Sequence, residues 1–78
     1  MKKVIRNEEI HDTVNVKNVD ITTPIFAKKN GKIKGMLVKE DHGWVLRFPS
    51  GIGPGGHQWS RGVCIEAGLK FGFEFFTE

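Results

Sequence analysis

Few groups in this chain suggest site chemistry, and their spacing limits what they can do. Cys64 is the single cysteine, and His57 stands upstream of it. A thiol activated by an imidazole needs a third group to orient the base. None is evident here, and glycines surround the pair. A small buried thiol is the commoner state. The histidines His11, His42 and His57 show no zinc-ligand spacing, and one cysteine cannot complete a set with them. No catalytic residue, metal ligand or cofactor is therefore expected, and the chain reads as a non-enzyme.

Gly51, Gly53 and Gly56 spell a literal G-x-G-x-x-G. In a dinucleotide site such glycines let the backbone approach a pyrophosphate within a parallel strand–helix–strand unit. Here too little chain follows Gly56, the preceding strand belongs to an antiparallel meander, and Pro54 removes an N–H from the cradle. A flexible loop is the simpler reading, with a small anion or nucleotide pocket kept as an alternative. Arg47, His57, Trp59 and Arg61 flank the loop. A tryptophan beside an arginine resembles an interface hot spot, so these four are the candidate partner-binding residues. A second candidate is the basic cluster Lys28, Lys29, Lys32 and Lys34, on a ribbon that could follow phosphates. Lysine also serves simply to blunt exposed strands.

The element that must position these groups runs from about residue 22 to residue 48. Asn30-Gly31 and Asp41-His42-Gly43 separate three runs of alternating character, which predicts a three-stranded antiparallel meander. A two-residue Asn-Gly turn pairs Lys29 with Lys32, Ala27 with Lys34 and Ile25 with Met36. On the other face it sets Phe26 against Gly35, where a ring can cover a glycine. At the second turn a three-residue loop with Gly43 left-handed pairs Val38 with Leu46 and Met36 with Phe48. Ile25, Met36, Val38, Trp44, Leu46 and Phe48 then share one apolar face.

Upstream, Lys3–Arg6 could be a short strand, although residues 1–12 are expected to be flexible. Thr13–Lys17 alternates as a strand, with Val19 and Ile21 continuing in opposite phase. Pro24 places the next strand at an edge or at its own start. Residues 49–59 read as an irregular glycine-rich loop. Ser60 is a candidate N-cap for a helix over about 61–71, with Gly72 ending it. Val63, Ala67 and Phe71 would share its inner face, widened by Cys64, Ile65 and Leu69; a strand here is the alternative. Phe73–Phe76 reads as a closing strand.

Seventy-eight residues make one domain, 1–78. A chain this short buries only about 60–65% of its unfolded surface, and six Phe and two Trp supply most of its core volume. The expected fold class is α+β: an antiparallel sheet of about four to five strands with one helix on its apolar face. The net charge of +3 permits nucleic acid without demanding it. The lone cysteine suggests a reducing compartment, and no leader or membrane-spanning run is evident, so a cytoplasmic location is expected. The leading functional expectation is a small binding protein that engages a protein partner through the loop-to-helix surface. Nucleic acid on the lysine hairpin is the alternative, and two copies could pair through a free sheet edge.

Overall fold

A computed structural model describes residues 1–6 and 12–78. These residues form seven strands and one α-helix: β1 (Lys2–Ile5), β2 (Thr13–Asn15), β3 (Phe26–Lys29), β4 (Lys32–Glu40), β5 (Gly43–Phe48), β6 (Gly51–Ile52), α1 (Arg61–Lys70) and β7 (Glu74–Thr77). One sheet holds them all, in the order β2-β1-β7-β3-β4-β5-β6. The class is α+β, but the sheet has seven strands rather than the expected four to five. It is also mixed, because β1 and β2 run parallel. The expected flexibility of 1–12 falls in part on residues 7–11, which lie outside the described residues; β1 occupies the place of the short strand expected at Lys3–Arg6.

Asn30 and Gly31 take positive φ, 54° and 77°, as the first turn requires, and Lys29 faces Lys32. The pairing then shifts. A bulge between Ala27 and Lys28 sets Ala27 against Gly35 and Phe26 against Met36. The second turn uses only Asp41 and His42, so Leu37 faces Leu46 and Val38 faces Val45. Both expected registers are therefore off by one over most of β4, and one residue of slip exchanges the faces of a strand. Leu37 turns to the core with Ile25, Ala27 and Leu46. Met36 and Val38, expected inside, stand on the opposite face. Phe48, not Phe26, covers Gly35, leaving no room there for a Cβ.

Thr13–Asn15 is a strand, but the segment after it is not. Asn15 accepts a hydrogen bond from the Lys17 amide at 3.1 Å and starts a 3-10 turn over Val16–Asn18. Asparagine favours such local bonds over the ladder. Val16 and Val19 are both buried, so one turn of helix replaces the expected alternation. Pro24 precedes β3, and β3 is interior, between β7 and β4.

The helix matches its sequence signals closely. Ser60 Oγ accepts from the Val63 amide at 3.3 Å. At the other end Phe73 N donates to Gly68 O and Gly72 N to Leu69 O, both at 3.1 Å, with Gly72 at φ 87°. That is a Schellman motif. Its inner face matches expectation in part. Cys64 and Ile65 are buried as expected, with Gly62 and Gly68 beside them, whereas Leu69 and Phe71 are exposed. Gly68 explains this. A Cβ there would sit 2.5 Å from the Phe75 ring, so the missing side chain lets α1 settle onto β7. Phe75, fully buried, is the largest such side chain.

Gly68→Ala therefore sets two effects against each other. Helix propensity favours alanine by about 1 kcal/mol, while overpacking against a buried ring costs about 1–3 kcal/mol. Urea denaturation is expected to show net destabilisation; a stabilised variant would mean that the helix is not seated on Phe75.

Candidate functional site

The side of the sheet away from α1 carries the feature of most functional interest. Side chains alternate along each strand. Phe75, Ala27, Leu37 and Leu46 face the helix, so their neighbours Phe76, Phe26, Met36, Val38 and Arg47 face the other way. The pairings join these into one lateral row. Thr13 is beside Lys3, Lys3 beside Phe76, Phe76 beside Phe26, Phe26 beside Met36, Met36 beside Arg47, and Arg47 beside Ile52. Every strand of the sheet contributes one residue. The centre of the row is apolar and partly accessible, and a cation stands at either flank.

More positive charge borders it. Lys28 places its ammonium 4.8 Å from the centroid of the Phe76 ring, a cation–π distance. Lys34 lines a depression of about 420 Å³ together with Phe26, Ile33, Met36, Val38 and Arg47. Two carboxylates beside it are already partnered: Lys3 Nζ meets Glu74 at 2.8 Å, and Arg47 Nη2 donates to Glu40 Oε2 at 2.5 Å.

The residues expected to bind a partner separate in the fold. Arg47 belongs to the row. His57 reaches it indirectly, since His57 Nε2 and Glu40 Oε1 lie 2.9 Å apart. The Arg47 and His57 hydrogen bonds hold the Glu40 carboxyl below the usual carboxylate range. Trp59 is 79% exposed, the most exposed of the large apolar side chains described. Arg61 turns inward. Its Nη2 donates to Val16 O at 3.2 Å and Val19 O at 2.8 Å, Nη1 donates to Asp20 O at 3.4 Å, and the guanidinium lies over Trp44. It closes the 3-10 segment against the helix start, so it is committed to structure. In the lysine cluster, Lys29 lies over Phe73 on the helix side and Lys32 is exposed at the tip. Only Lys28 and Lys34 border the open face.

Residues 49–59 are more regular than their composition suggests. β6 pairs with β5. Trp44 and Gln58 exchange both backbone hydrogen bonds at 2.7 Å, and Gly53 N donates to Leu46 O at 2.6 Å. These loop amides are bonded to the sheet instead of being free to cradle an anion. Among the described residues, no group of three or more His, Cys, Asp or Glu is placed to hold a metal ion. Cys64 is 1% exposed, and burial pushes its thiol up to about 11.

Lys3, Phe26, Met36 and Phe76 are members of the row that sequence reasoning did not offer as site residues, and Phe76 had the least to show it. Its only signal was the alternation Glu74-Phe75-Phe76-Thr77, and nothing local pairs it with Phe26. Comparison with protein-family models, curated proteins and solved structures found no match. Among the described residues no helix is long and apolar enough to cross a membrane.

Two outcomes are expected from these contacts. Arg61→Ala should lose about 1–3 kcal/mol of stability in a denaturant melt, as part-buried hydrogen bonds from a charged donor to Val16 O and Val19 O are lost; Arg61→Lys should restore little, lacking the planar fork. Cys64 should resist a thiol reagent at pH 8 in the native protein and react on unfolding. Because its folded pKa lies above the ordinary value of 9.0, the unfolded state loses its proton first. Stability should fall as pH rises from about 9 to about 11.

Proposed function

We propose that this chain is a small, cytoplasmic, non-catalytic binding module whose open sheet face engages a polyanionic macromolecule. One observation carries the reading: the lateral row Lys3-Phe76-Phe26-Met36-Arg47, with Lys28 and Lys34 beside it. Among the described residues one short helix covers one side of the sheet; on the other side Val45 is fully buried, while Phe26, Met36, Val38 and Phe76 stay partly accessible. The other side keeps apolar area available for contact and surrounds it with excess positive charge, a combination that favours an anionic partner with flat apolar parts. Catalysis is not proposed: the imidazole–carboxylate pair beside the row, His57–Glu40, has its carboxylate already bonded to Arg47, and among the described residues no activated nucleophile is identified with it.

A protein partner at the loop is the second reading, favoured by the exposure of Trp59. Interface hot spots are enriched in tryptophan. Arg61 no longer belongs to that surface, and Arg47 links it to the sheet face through Glu40 and His57.

Heparin chromatography tests the choice of surface. Lys28→Glu with Lys34→Glu should elute at clearly lower salt than Lys17→Glu with Lys70→Glu, a double variant of identical net charge altered elsewhere. Co-elution of the two would mean that overall charge, not this face, governs retention. Thermal melts of both variants would show whether the fold is intact.

A further inference from the structure

We infer that the polyanion is a single-stranded polynucleotide, seated across the open face with its bases on Phe26 and Phe76. The inference rests on the polyanion-binding reading above and names its ligand. Phe26 and Phe76 are direct cross-strand neighbours on β3 and β7. Adjacent strands lie about 4.8 Å apart, so the two aromatic side chains stand side by side on one face, each partly accessible. Bases stack on aromatic side chains whatever their sequence, while nearby cations follow the backbone. Lys3 stands on one side of the aromatic pair, Arg47 lies past Met36 on the other, and Lys28 and Lys34 stand alongside.

Other polyanions fit this arrangement less well. An acidic peptide adding a strand would need a free sheet edge. The edges here are the three-residue β2 and the two-residue β6, and both aromatic side chains sit on interior strands. In a duplex the bases are stacked on one another, and their faces cannot reach side chains held on a sheet surface. Between Lys3 and Arg47 the row holds only Phe76, Phe26 and Met36, which offer no strong acceptor to a 2′-hydroxyl. DNA and RNA strands should therefore bind alike. In the free protein the Lys28 ammonium occupies a face of the Phe76 ring; a base takes that place and the ammonium moves to the adjoining phosphate.

Fluorescence anisotropy with a labelled oligo-dT of about 15 nucleotides, within the site sizes known for stacking platforms, tests this. Neutralising about two to four phosphates predicts affinity falling about 7- to 50-fold between about 50 and about 200 mM salt. Oligo-U of the same length should behave the same way. Phe26→Leu keeps apolar volume but removes the π face, and should weaken binding at least about 5-fold. Lys28→Glu with Lys34→Glu should weaken it too, with the protein still folded although the melting temperature drops slightly because a carboxylate at residue 28 faces Glu74. The assignment is overturned if no binding is seen at about 50 mM salt, if a duplex of equal length binds as tightly, or if Phe26→Leu binds like the wild type. Were heparin retention to depend on Lys28 and Lys34 while oligo-dT failed to bind, the polyanion-binding surface would stand and its ligand would be an acidic protein instead.

Discussion

Phe75 pressed against Gly68 is the contact on which the rest of the fold depends. The ring is fully buried, and no side chain at residue 68 could share its space. Because of it, a helix with only a few buried aliphatics can sit close to the sheet. Gly68 also accepts the Phe73 amide that ends the helix, so one residue both seats α1 and turns the chain into β7. That turn delivers β7 between β1 and β3, where Thr77 Oγ1 donates to Pro24 O at 3.1 Å. Residues close to one another in sequence thus fix the helix position, the sheet order and the phase of the row on the far side.

Local chemistry was legible from sequence, and long-range phase was not. Asn30-Gly31, the Ser60 cap and Gly72 each demand a particular backbone conformation, and each was found in it. The bulge beside Lys28 has no comparable signature, because any residue with a neutral pairing preference can be the extra one. Its effect is large all the same. It exchanged Leu37 for Met36 and Val38 at the core, and so converted apolar residues that looked like filling into exposed surface. The strand count was missed for a related reason: β6 is too short to show alternation and lies inside a run that reads as loop, and β1 falls in a stretch expected to be flexible.

The candidate site was legible in parts that did not belong together. Lys28, Lys34 and Arg47 were singled out for their charge, but in two separate groups. What unites them is Phe76, far from Phe26 in sequence and adjacent to it in the sheet. Arg61 shows the opposite case. Its type and its place at a helix start suggested a partner, yet its donors are taken by the carbonyls of Val16, Val19 and Asp20. An arginine's partners lie wherever the fold puts unsatisfied oxygens, and sequence spacing does not reveal them.

The interior position of β7 has a consequence for how the surface comes into being. Until residues 74–77 insert, β1 with β2 and β3 with β4 are separate hairpin-scale pieces, since each borders β7 rather than the other. Contacts of such wide sequence separation form late and slowly. The paired aromatic side chains therefore exist only in the completed fold. A nascent or partly unfolded molecule carries the same lysines without Phe26 and Phe76 side by side, so this face is complete only when folding is finished.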